Sequence, residues 1–96
     1  TPHIHIYKLS SGEEIIATVV EVHADRIVMR HPLQMVMGQR GPQFAPFMAM
    51  VAPGKDIILC RSLIIADGPP LPELEGQYES ITTGIALPQK SSIITS

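Results

Sequence analysis

Leu9-Ser10-Ser11-Gly12-Glu13-Glu14-Ile15-Ile16-Ala17-Thr18-Val19-Val20-Glu21-Val22 reads as a strand end, a tight polar turn and a second strand that has to bend. Leu9 closes an apolar run, and Ser10, Ser11 and Gly12 supply turn chemistry, with Gly12 free to adopt a positive φ that strains other residues. Ile15, Ala17 and Val19 repeat at period two and so share one face of the strand. The next position on that face, 21, is Glu, and the apolar residue is Val22. A strand changes face only by adding a residue, so the spacing predicts a bulge or sharp coil near Val20 and Glu21. Small Ala17 at mid-strand permits curvature. A bent strand of this kind is what a small closed or nearly closed barrel requires.

Composition sets the scale. The 96 residues make one domain, 1–96, with a single modest core. Hydrophobic residues are 45% and charged residues only 17%, more apolar surface than one small core can hide, which predicts burial between subunits of a homo-oligomer. A net charge of −2 with no run of Lys or Arg lacks the footprint of a protein that wraps nucleic acid, and leaves room only for a local site. The single Cys60 allows no internal disulfide framework and fits a reducing compartment. With no signal-peptide pattern and no apolar run near the ~20 residues that span a bilayer, the expectation is a soluble cytoplasmic protein with no membrane partner.

Along the chain, strands are predicted at 3–9, with Pro2 at the edge, and at 14–22. After the tight connection His23-Ala24-Asp25, a third strand covers 26–30; Pro32 interrupts it and 34–37 resumes. A turn at 38–42 leads to a fourth strand at 44–51 with Pro46 inside, which implies an edge or a bulge. Met35 and Met37 before that turn, and Met48 and Met50 after it, suggest a hairpin whose methionines share a face in the core or a subunit interface. Residues 57–66 are apolar except for Arg61-Ser62, as expected of a strand buried on both sides with a polar break. Beyond Asp67-Gly68-Pro69-Pro70, Leu71, Leu74, Tyr78 and Ile81 fall at helical spacing, predicting a helix over 71–83 with Pro72 and acidic Glu73 and Glu75 at its start and Gly84 past its end. Residues 85–88 are expected to pack and the tail to 96 to fray. The fold class is therefore all-β: a small, strongly bent five-stranded SH3-like barrel over about 3–67, with one C-terminal helix.

The turn glycine, the bent second strand and the break before the last strand resemble the Sm-like (LSm/Hfq-like) family. Leu9, Gly12, Ile15, Ala17, Val19 and Val22 meet the spacing of its first motif, with Ala17 where Gly is usual. Ile57-Ile58-Leu59-Cys60-Arg61-Ser62-Leu63-Ile64-Ile65 resembles a degenerate second motif, with Arg-Ser in place of Arg-Gly. The family's usual helix before the first strand is not expected here. The helix at the other end and the Met- and Pro-containing third-to-fourth strand region look more like divergent Sm-like proteins of bacterial viruses. The resemblance implies a homo-oligomeric ring of about five to seven subunits, one subunit's fourth strand pairing with the next one's fifth. It also implies single-stranded RNA held near the pore by the loop after the second strand and the loop before the fifth.

In those loops stand the candidate site residues. The loop after the second strand is His23-Ala24-Asp25-Arg26, shorter than usual and without the Asn of the family's uridine pocket. His23 and Arg26 can stack on bases or bind phosphate, or be ordinary solvated turn residues. Arg61, beside Ser62, occupies the place of the basic pore residue; inside an apolar strand it needs water or a partner, and an intersubunit salt bridge to Asp56 or Asp67 is the competing role. Arg30 and His31 are weaker candidates that cap the third strand before Pro32. His3 and His5 share a strand face, but a closed zinc site needs four ligands and Cys60 with His23 or His31 is at no recognised spacing, so no metal or cofactor is expected. Neither a Ser/His/Asp arrangement nor a phosphate loop is present, and Glu13-Glu14 reads as a solvated turn pair, so no enzyme is expected. Two functions follow as expectations: an RNA-binding or RNA-chaperone ring, and a structural ring that has lost RNA and docks a protein partner through its C-terminal helix. A monomeric SH3-like barrel is the third.

Overall fold

The computed structural model describes residues 3–52 and 54–86. Six antiparallel strands, β1 (His3–Leu9), β2 (Glu14–Val22), β3 (Arg26–Gly38), β4 (Gly41–Pro46), β5 (Ile57–Cys60) and β6 (Ile64–Gly68), precede one helix, α1 (Pro72–Ala86). The strand order is β4-β3-β2-β1-β6, with β5 also paired to β3. The hydrogen-bonded sheet is open, and a 3-10 turn, Arg61–Leu63, carries the chain from β5 beside β3 to β6 beside β1.

The opening segment behaves as its chemistry dictates. Gly12 takes φ 111, and its N–H donates to the Leu9 carbonyl at 2.9 Å. Ile15, Ala17 and Val19 point together into a core with Tyr7, Leu9, Ile27, Met29 and Leu59. Val19 pairs with Met29 and Glu21 with Val28, so Val20 is the extra residue and the expected bulge is present. Val22, which the face switch should turn inward, remains 55% exposed at the strand end.

A second bulge corrects the reading of Pro32. Ile16 pairs with Leu33 and Thr18 with Arg30, so one residue of β2, Ala17, faces two of β3, His31 and Pro32. His31 adopts φ 52, a left-handed conformation, and buried Pro32 sits where no ladder N–H is needed. The strand therefore runs through Pro32 over 13 residues. The bulge also divides its labour: Arg26 to Met29 pair with β5, and Leu33 to Gly38 with β4.

Other boundaries shift as well. The fourth strand is Gly41–Pro46, earlier than expected, because Gly38 pairs with Gly41 across a two-residue turn and Gly41 takes φ 107. Met35 therefore faces Phe44 and Met37 faces Pro42, while Met48 and Met50 lie beyond the strand, Met50 fully exposed; the methionine-faced hairpin does not form. The segment 57–66 is not one strand buried on both sides. It breaks at Arg61, and Ile58 and Ile65 are 65% and 64% exposed. Six strands thus replace five.

The helix packs on the opposite sheet face from the main core. Tyr78, fully buried, contacts Ile16 and Leu33, with Ile4, Ile6 and Phe44 around them. Leu71 lies just outside the helix and is exposed, as is Ile81, so only part of the predicted apolar stripe is buried. The helix continues through Gly84 to Ala86, which corrects its predicted end; residues 87–96, which hold the rest of the expected packed segment and the predicted frayed tail, and Pro2 lie outside the described residues. No helix among the described residues is long and apolar enough to cross a membrane.

Candidate nucleic-acid interface

The connection between β2 and β3 is a tight loop closed by the His23 N–H donating to the Arg26 carbonyl at 2.9 Å. Arg26 then stands in register with Cys60, which brings the start of the 3-10 turn alongside the loop. Two hydrogen bonds join them. The Arg61 backbone N–H donates to the Asp25 carbonyl at 3.1 Å, and Arg61 Nη1 donates to the His23 carbonyl at 2.8 Å. Residues 38 apart in the chain are thus locked together, and His23, Arg26, Arg61 and Ser62 form one surface.

Arg61 is exposed and lies in a turn, so no charge is buried in a strand there. Its chemistry differs from that of its neighbours. His23 Nε2 lies 2.7 Å from Glu21 Oε1, and Arg26 Nη1 donates to Asp25 Oδ1 at 3.0 Å. Among the described residues Arg61 has no carboxylate partner, only a neutral carbonyl. The two acids named as partners across a subunit boundary are engaged within the chain, Asp56 by Arg30 Nε at 2.6 Å and Asp67 by His5 Nε2 at 2.9 Å. A guanidinium fixed through one donor keeps its others for a planar anion such as phosphate.

Arg30 and His31 do not join this surface. Arg30 lies four residues along β3 from Arg26, about 13 Å at ~3.3 Å per residue. Neither residue caps the strand: Arg30 pairs with Asp56 and His31 forms the bulge.

Two further groups lie at this end of the sheet, and neither was given a role in this surface from the sequence. Cys60 Sγ lies 3.0 Å from Ser62 Oγ, and hydrogen bonds from the Ser62 side chain and then its backbone hold the exposed thiol below its ordinary pKa. The Cys-x-Ser spacing was the available signal. The second is the row His3, His5 and Tyr7 on β1, with ring centroids 5.6 and 5.1 Å apart. Its alternation is visible in the sequence, but its proximity to Arg61 is not. Among the described residues no three His, Cys, Asp or Glu side chains gather into a metal site.

The chain matches no family model, and no curated protein matches it in sequence.

Proposed function

We propose that this chain is a homo-oligomeric Sm-like ring protein that binds single-stranded RNA through Arg61 and the loop 23–26, with a role in RNA binding or chaperoning. The observation that carries the reading is Arg61: a guanidinium tethered to the His23 carbonyl, exposed and unmatched by an acid among the described residues. In this reading the strongly bent sheet is an SH3-like barrel. Its two ends are brought together by the 3-10 turn between β5 on β3 and β6 on β1. Among the described residues β5 and β6 each have one ladder partner, and Ile58 and Ile65 are exposed on them. Pairing β5 of one subunit with β6 of the next satisfies both edges and buries apolar surface that a monomer leaves in water.

A second reading is a structural ring without RNA. Glu21 and Asp25 flank the loop and occupy two of its basic groups, and exposed Leu71 and Ile81 at α1 offer a surface for a protein partner. Binding of oligo-U and oligo-A at low and moderate salt separates the two. Salt-sensitive binding that weakens in Arg61→Ala supports the first, and no binding at low salt removes it.

A further inference from the structure

A cleft of about 320 Å³ lies over the paired strands β1 and β6, lined also by Val22 and Ile27, at the end of the sheet that carries Arg61. Its floor is the alternating row of β1. Leu9 and Tyr7 are buried in the core, His5 is half-buried and His3 is exposed, so the core opens progressively into the cleft. The His3 and His5 rings meet nearly edge to face at 79°, and His5 tilts against Tyr7 at 58°. Ile64 and Asp67 form the β6 wall, and Arg61 stands on the adjoining turn. Asp67 Oδ1 holds His5 Nε2, which leaves its second oxygen to accept from a ligand. Burial, then the Asp67 charge, raises the Tyr7 pKa while Arg61 opposes them, so both charges act on a single phenol that stays protonated as a donor.

We infer that this cleft binds one nucleotide unit, its base against the His5 and His3 rings and its phosphate on Arg61. The proposal takes its choice of ligand from the RNA-binding reading above, and assigns that reading a specific pocket. The combination is selective. An inorganic anion gains Arg61 but forgoes the rings and meets the Asp67 carboxylate. A purely apolar ligand strips water from both charges without replacing it. A nucleotide offers a π-face, a phosphate and polar edges together, and stacking on aromatic rings tolerates any base. The Asp67 oxygen favours bases with an amino group, so adenine, guanine and cytosine bind better than uracil. The volume, at the low end of the roughly 300–1,000 Å³ of small-molecule sites, suits a single unit.

Titration of the full chain with AMP, GMP, CMP and UMP, followed by NMR, tests this. Saturable shifts of the His3, His5 and Ile64 signals are expected. His5→Ala should weaken binding about tenfold or more, as loss of a stacking partner does. His5→Phe, which keeps the ring, should restore most of it and guards against a folding defect in the alanine variant. No shift at these residues with millimolar nucleotide, or shifts confined to residues 23–26, overturns the proposal. Oligo-A binding that needs Arg61 but ignores His5→Ala also overturns it while sparing the RNA reading. Mononucleotide binding in the cleft without oligonucleotide binding does the reverse.

Discussion

The Tyr78 hydroxyl lies 2.9 Å from the His31 carbonyl and 3.1 Å from the Arg30 carbonyl, so the helix closes the bulge of β3 with a single proton. That proton is shared between two carbonyls, and Thr18 Oγ1, 3.0 Å away, is placed to donate to the same oxygen. The bulge interrupts the ladder at this point, and Tyr78 gives both carbonyls a partner.

Tyr78→Phe should therefore destabilise the fold by about 1–2 kcal/mol, because it removes the donor from two part-buried carbonyls while keeping the ring. Tyr78→Ala, which also opens a cavity beside Ile16 and Leu33, should cost about 3–5 kcal/mol. Urea unfolding checks both. A Tyr78→Phe protein as stable as the parent contradicts the role given to the hydroxyl.

The same residue predicts a pH dependence. Burial raises the Tyr78 pKa above its ordinary value, opposed by the Thr18 hydrogen bond, and burial raises that of Tyr7. The folded state thus holds these protons more tightly than the unfolded chain does. Stability is intact below the ordinary tyrosine pKa of about 10 and falls as pH rises beyond it through the raised values. Unfolding measured from pH 8 to 11 should show this decline, and Tyr78→Phe should make it shallower.

Gly12→Ala should cost about 1–2 kcal/mol from backbone strain alone, since φ is 111 and nothing obstructs an added Cβ. Gly38→Ala differs. The nearest atoms the new Cβ meets are the far end of the flexible Gln43 side chain, which can move aside, so a smaller loss is expected. Thermal unfolding of the two variants should rank them in that order.

These contrasts show what the sequence could reveal. Period-two spacing of Ile15, Ala17 and Val19 located the core face, and Glu21 where an apolar residue was due located the Val20 bulge, because both signals are local. Pro32 misled because a proline inside a strand usually ends it. What rescues the strand is His31 in a left-handed conformation and a tyrosine 47 residues away, neither visible locally. The site divided in the same manner. His23, Arg26, Arg61 and Ser62 were legible through resemblance to a motif, and the structure brings them together. That Asp56 and Asp67 serve Arg30 and His5, and that the β1 row neighbours Arg61, depends on register between distant strands.

The proposed ring, assembled through the β5 and β6 edges, would place Ile58 and Ile65 at its interface. Ile58→Glu or Ile65→Glu places a charge on an exposed strand edge and should yield monomers with unchanged circular dichroism. Sedimentation of the variants beside the parent reads the outcome. A parent that is itself monomeric removes the ring.

The central claim, an oligomeric ring that holds RNA at Arg61, is tested most directly by native mass spectrometry of the purified chain with a short oligo-U. A closed assembly of about five to seven copies retaining RNA, and losing it in Arg61→Ala while keeping its copy number, is the predicted result. A monomer, or a ring whose RNA occupancy is indifferent to Arg61, contradicts it.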